Sequence, residues 1–343
     1  MNPRLAAVVA ALALSACAAF GLVAPGEAGS VVISASPIPL YPDDPGRKDA
    51  GELIYRGGLV LKSDDARFGG LSGLRVGADG QTLLAVSDVA FWFRAELGYD
   101  VNGDLARLDH AEIAPMLGAD GKPMRGKDGD AEGLEFASDR GASGPVLVSF
   151  ERAQRVWLYD LGQGHAVLPE PVPMGAWIDD LNSNEGLEAI VLVRGDTLLA
   201  ISENTRDANG DIQGALEAFP AYVGRGGYGR LSVIPHEPFR VTDAARAPSG
   251  GVFLLERRYS PLGGVGMALR HIAEGEIHPG ARIEGKTLVL LSGTEANIDN
   301  MEGLAARAGP NGETLLYMIS DDNFQPGLQR TVLLMFALRD SAQ

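Results

Sequence analysis

Apolar and polar positions along this chain repeat in a short pattern. Runs of mostly apolar residues, Thr82–Val86, Val146–Ser149, Thr197–Ile201 and Leu315–Ile319, each stand between a Gly-containing turn and an acidic residue. Too short for helices and lacking strict alternation, they predict strands buried on both faces. Each is preceded by a segment opened by a recurring phrase: Leu71-Ser72-Gly73-Leu74, Ala131-Glu132-Gly133-Leu134, Asn184-Glu185-Gly186-Leu187 and Met301-Glu302-Gly303-Leu304. A worn copy reads Thr242-Asp243-Ala244-Ala245. The intervening turns include Ala78-Asp79-Gly80, Arg140-Gly141, Arg194-Gly195-Asp196, Pro248-Ser249-Gly250 and Pro310-Asn311-Gly312. Gly, Asn and Asp there supply the positive φ that tight hairpins need. Each unit therefore reads as a β-hairpin followed by further strand-like sequence, such as Val156–Leu161 and Thr287–Leu291. Long amphipathic helical stretches are absent.

The spacing selects the architecture. From Gly73 to Gly133 is 60 residues, from Gly133 to Gly186 is 53, and from Gly186 to Gly303 is 117, an interval that spans the worn copy. A period of about 58 with four strands per unit describes an all-β propeller of four-stranded blades. Five repeats are visible, and a sixth blade without a signature is the alternative count. The last unit offers three strands, ending in Arg330–Leu338, so Glu52–Lys62 is expected to supply its fourth and close the ring. A β-sandwich array would leave the even spacing unexplained.

The start of the chain reads as an address. Arg4 precedes an apolar run, Leu5 to Ala16, which matches a secretory signal and is too short to span a bilayer. Leu14-Ser15-Ala16-Cys17 has the form of a lipobox, which would make Cys17 the lipidated first residue; the alternative is an ordinary signal cleaved after Ala28. Either way export to the periplasm is expected, the lipobox adding an outer-membrane lipoprotein. The domain plan is a signal over 1–28, a flexible linker over 29–50 and one propeller domain over 51–343. Cys17 is the single Cys, so an internal disulfide and a Cys-based zinc site are excluded. Acids outnumber bases 45 to 29, for a formal charge of −16. That excess argues against nucleic acid as a partner and suits cations, or substrates approached through cations. Membrane contact is expected only through the lipid, and the protein is expected to be a monomer.

The acids have places. In an antiparallel hairpin the start of the first strand and the end of the second share an edge. Glu132, Glu185, Asp243 and Glu302 at strand starts should thus face the same way as Asp88, Glu151, Glu203, Glu256 and Asp321 at strand ends, with Ser72 the neutral entry. If these hairpins are innermost, nine carboxylates converge on one mouth of the channel, where they would raise each other's pKa values or recruit cations. Carboxylate and amide oxygens without His or thiolate favour Ca²⁺ before Mg²⁺. The alternative for any one acid is a structural role, capping backbone N–H groups or pairing with Arg. Arg152 and Arg257, each directly after its acid, are candidate cations for binding an anion.

Asp130-Ala131-Glu132-Gly133-Leu134, Phe150-Glu151-Arg152, Asn184-Glu185-Gly186-Leu187-Glu188-Ala189, Leu255-Glu256-Arg257, Asp299-Asn300-Met301-Glu302-Gly303 and Ser320-Asp321-Asp322-Asn323, in that order, resemble the bacterial phytase-like family, described as having "esterase-like activity of phytase". The resemblance runs from about Gly70 to Leu338. It implies an exported β-propeller, distantly similar to calcium-dependent phytases with six blades and a metal-rich mouth, and ester or phosphoester hydrolysis. Under that reading Ca²⁺ at the mouth binds a small anionic ester or phosphoester, Arg152 and Arg257 clamp its oxygens, and Glu132 or Glu302 accepts the proton of water. The competing function is a non-catalytic propeller that holds a ligand or partner at its mouth.

Other signals carry less. Gly224-Arg225-Gly226-Gly227-Tyr228-Gly229 fits G-x-G-x-x-G but lacks a strand–turn–helix context. The D-x-N-G-D runs at 100–104 and 207–211 place Gly fourth rather than sixth, which suits turns rather than an EF-hand loop. No G-x-S-x-G elbow is present. The five His show no metal spacing, and the three Trp are expected to fill blade interfaces.

Overall fold

The computed structural model describes residues 28–193, 197–218, 229–261 and 263–339. Residues 1–27 of the expected signal segment, Cys17 among them, the Arg194-Gly195-Asp196 turn and the Gly-rich run up to Tyr228 lie outside them.

The described strands form five sheets, and each sheet is a blade. Blade 1 runs outward through Leu71–Val76, Thr82–Ser87, Phe91–Tyr99 and Leu105–Pro115. Blade 2 comprises Ala131–Phe136, Pro145–Phe150, Arg155–Asp160 and Glu170–Val172. Blade 3 comprises Leu187–Leu192, Thr197–Arg206, Ile212–Ala218 and Gly229–Val233, with Arg282–Ile283 added in parallel at its outer edge. Blade 4 is Arg240–Arg246, Val252–Ser260, Gly264–Ile272 and Lys286–Ser292. Blade 5 is Asn300–Ala308, Thr314–Asp321 and Thr331–Leu338. Its fourth strand is Leu53–Lys62, paired antiparallel with Thr331–Leu338. The innermost strands touch one another in sequence, and that of blade 5 touches that of blade 1. The architecture is a five-bladed propeller.

The segment expected to be a linker is laid on the blades instead. Gly29–Ser30 pairs with the outer strand of blade 1, Ser34–Pro37 pairs with Leu53–Lys62 of blade 5, and Leu40 is fully buried. Backbone pairing on two exposed sheet edges and one apolar anchor outweigh the Pro, Gly and Asp content that reads as loose chain.

Burial on both faces follows from this geometry. The apolar core is split into five clusters, one in each cleft between neighbouring blades. Val146, Val148 and Phe150 pack toward blade 1, whereas Leu147, between them, packs toward blade 3. Alternate residues of one strand thus enter different clusters, and both sets must be apolar.

Candidate functional site

Every innermost strand carries a β-bulge at the same place. Register slips by one residue between Leu71 and Leu74, Ala131 and Leu134, Leu187 and Ala189, Val241 and Asp243, and Met301 and Gly303. Pairing fixes which residues are equivalent, because Leu71, Ala131, Leu187, Val241 and Met301 face Ser87, Phe150, Ser202, Glu256 and Ser320. One step on, the bulge positions are Ser72, Glu132, Glu188, Thr242 and Glu302. The matching strand-end positions are Asp88, Glu151, Glu203, Arg257 and Asp321.

This register corrects the repeat alignment in two blades. In blade 3 the bulge acid is Glu188, three residues beyond Glu185. In blade 4 Thr242 takes the bulge position, so Asp243 stands where the other copies have Gly or Ala, and Arg257 rather than Glu256 takes the strand-end position.

The bulge explains the repeated Gly. A Cβ on Gly73 would stand 2.6 Å from the Glu132 carbonyl oxygen, and one on Gly303 would stand 2.5 Å from that of Ser72. At these glycines the neighbouring inner strands approach too closely to admit a side chain.

The acids of blades 1, 2, 3 and 5 meet in one cup. Single carboxylate oxygens of Asp130, Glu132 and Glu151 lie within 4.8 Å of one another, and so do those of Glu151, Glu188 and Glu203. Glu151 belongs to both groups. Asp88 and Glu302 act electrostatically on Glu132, and Asp321 acts on both Asp88 and Glu302. Burial, then mutual repulsion, raises these groups: Asp88 to about 7, and Glu132 and Glu188 well above the usual carboxylate range. Burial lifts Glu151 to about 7 against a hydrogen bond from Gly186 N–H, and Asp321 to about 6 against one from Asn323 N–H. It lifts Glu302 to about 8 although Arg257 opposes the shift.

Among the described residues, two guanidiniums form ion pairs with these eight carboxylates. Arg152 Nε lies 2.6 Å from Asp130, its backbone in the left-handed region at φ 48° and its side chain half exposed. Arg257 lies 2.7 Å from Glu302 and 3.2 Å from Glu203. It therefore serves first as a counter-ion between blades 3 and 5. Glu188 is 8% exposed, and no donor reaches its carboxylate among the described residues. Glu132 likewise accepts no hydrogen bond there.

Three acids singled out from the sequence stand elsewhere. Glu185 is half-buried beside the cup, where a hydrogen bond from Asn204, at 2.9 Å, and one from Asn182 lower its pKa. Asp243 is buried in the channel and paired with Arg75 at 3.1 Å. Glu256 is buried between blades and paired with Arg270 at 2.5 Å. For these two, pairing with Arg is the role the structure displays.

Arg75 closes the channel beneath the cup. It is 5% exposed and donates to the carbonyls of Leu74, Leu304, Ile190 and Ala244 and to the carboxylates of Asp243 and Glu135. Those partners come from all five inner strands. The mouth is thus a blind cup rather than the entrance of a pore.

Residues 66–324 match the family described as phytase-like, esterase-like activity of phytase. The chain belongs to the phytase-like family. No curated protein matches it. Among solved structures, this phytase-like chain is similar to the β-propeller domain of Cps50 (Swd1) from Myceliophteria thermophila, with 11% identity, TM-score 0.38, and coverage of 88% of this chain and 99% of that one. It is also similar to U3-55K, with 10% identity, TM-score 0.40, and coverage of 81% and 98%.

Sequence reasoning left Asp130, Glu188 and Arg75 out of the site. Aligning Leu187-Glu188-Ala189-Ile190 with Met301-Glu302-Gly303-Leu304 by apolar spacing, rather than by the Gly, finds Glu188. A lone Arg in an otherwise apolar inner strand, Leu71–Val76, is the signal for Arg75.

Proposed function

We propose that this phytase-like propeller is a metal-dependent hydrolase of small anionic esters or phosphoesters, with its reaction centre in the acidic cup. The observation that carries this reading is the set of Glu132, Glu188 and Glu151: two buried carboxylates and one half-buried, crowded together, with no donor to Glu132 or Glu188 among the described residues. Such a set is costly unless protons or cations neutralise it. The donors are all oxygens, which suits a hard cation, Ca²⁺ before Mg²⁺. Asp130, Glu132, Glu151, Glu188 and Glu203 would hold it. A bound divalent cation supplies charge neutralisation and polarisation of an ester or phosphoryl oxygen.

The chain's own groups have distinct tasks. Arg152, anchored through Nε to Asp130, keeps its terminal nitrogens for an anionic oxygen. Glu132, with no donor of its own, accepts the proton of an attacking water. Arg257 offsets part of the charge of Glu203 and Glu302. The closed floor at Arg75 restricts approach to one face. We further read the leader as directing the protein outside the inner membrane, with Cys17 lipidated.

The test is turnover of aryl phosphates and aryl esters with Ca²⁺ and after chelation by EGTA. Turnover that stops on chelation and falls at least tenfold in Glu132→Gln is expected. Turnover indifferent to EGTA would remove the metal from the reading, and none on any substrate would favour a binding propeller.

A further inference from the structure

The connector between blades 3 and 4, residues 234–239, carries an arrangement that the cup does not use. Glu256 is completely buried, at the position where the other blades have Ser87, Phe150, Ser202 and Ser320. Its Oε1 accepts from Arg270 at 2.5 Å. Arg270 is itself 3% exposed and held by the carbonyls of Ile234 and Glu284, at 3.0 and 2.6 Å. Glu256 Oε2 lies 3.1 Å from Nδ1 of His236. Glu256 already accepts from Arg270, and with Nδ1 as the donor to Oε2 the ring's Nε2 stands outside the pair. The imidazole stacks on Phe239, with centroids 4.9 Å apart, and its side chain is 27% exposed. Its Nε2 has no hydrogen bond among the described residues.

The imidazole stands on the connector that leads into the inner strand of blade 4. Asp130, just before the inner strand of blade 2, and Asn300, first in that of blade 5, stand at the cup, and the connector at 234–239 leads into Arg240. The charge of Arg240 acts on Glu185 and Glu203. Phe239 lies 5.7 Å from the guanidinium of Arg258, next to Arg257. A buried ion pair needs no half-exposed imidazole to hold two blades together. An imidazole held through Nδ1 by a buried carboxylate, with Nε2 outside that contact, is the arrangement of a proton donor.

We propose that His236 is the general acid of this hydrolase, an inference that rests on the reading of the cup. As the bond between the ester or phosphoryl centre and its alcohol oxygen breaks, the electron pair stays on that oxygen. The proton on Nε2 passes to it, releasing a neutral alcohol. The incoming water loses its own proton to the cup, and exchange with solvent returns one to His236. Glu256 and Arg270 act through His236 as positioning residues.

The test compares kcat/KM for a nitrophenyl ester or phosphate, whose leaving group needs no proton, with that for its alkyl counterpart, whose leaving group does. His236→Asn keeps a donor toward Glu256 and deletes Nε2, and His236→Gln is the second variant. Both are expected to lower the alkyl reaction tenfold or more and to leave the nitrophenyl reaction within about twofold. Glu256→Gln should fall in the same direction by less. Equal losses on both substrates, or rescue of the alkyl reaction by Asn, would overturn the assignment. A wild-type protein inactive on both overturns the hydrolase reading itself, and His236 with it.

Discussion

Glu188 shows how one side chain trades stability for a site. Its carboxylate is buried, accepts no hydrogen bond among the described residues, and feels Glu132, Glu203 and Glu151 at once. Its amide isostere keeps the shape and drops the charge. Glu188→Gln is therefore expected to raise the melting temperature of the metal-free protein by a few degrees, on the order of 1 kcal/mol. The same substitution should weaken Ca²⁺ binding about tenfold or more. Thermal melts with EGTA and with Ca²⁺ check both, and a metal-free melting temperature that falls would mean that Glu188 has a donor after all.

The bulged hairpin is the unit that sets these side chains in place. One extra residue per inner strand turns the bulge side chain into the cup and brings the next carbonyl against the following position. Gly303→Ala should cost roughly 2 kcal/mol, since its Cβ meets backbone that cannot yield. Ala189→Gly, at the equivalent place in blade 3, should cost less than about 1 kcal/mol. Denaturant titrations of the two variants separate steric exclusion from a general intolerance of change. The hairpins, their turns and the burial on both faces were legible in the chain, because apolar runs and Gly turns are local signals. The cup was legible in part: Asp88, Glu132, Glu151, Glu203, Glu302 and Asp321 meet there. Glu256 and Asp243 carry the same local phrase and face elsewhere, because a bulge shifts facing by one residue and no composition reports it. Segment 29–50 misled for a related reason. Its strands form only against edges made by distant parts of the chain.

The molecule as a whole is a ring with one axle and one charged end. Arg75 bonds to every inner strand, and removing it leaves Asp243 and Glu135 buried without their cation. Arg75→Met should destabilise by about 3–5 kcal/mol, and adding Asp243→Asn should recover part of that loss. Chemical denaturation of the single and double variants measures it. The other end responds to pH. Asp321 is lifted to about 6, Asp88 and Glu151 to about 7, and Glu302 to about 8. Folded pKa values above the unfolded ones mean that the folded chain holds extra protons between pH 4 and 8. The metal-free protein should thus lose stability as pH rises from about 4 to 8, with Ca²⁺ restoring it at the upper end. A metal-free melting temperature that climbs across that range contradicts the crowding described for the cup.

Ca²⁺ titration calorimetry in two buffers of different ionisation enthalpy, at pH 7, reaches the cup most directly. Binding should release protons from the carboxylates it engages, so the heat should depend on the buffer. Both the heat and the proton release should vanish in Glu151→Gln/Glu188→Gln. Binding that survives in that double variant, or no binding to the wild type, would show that the acidic cup is not a cation site.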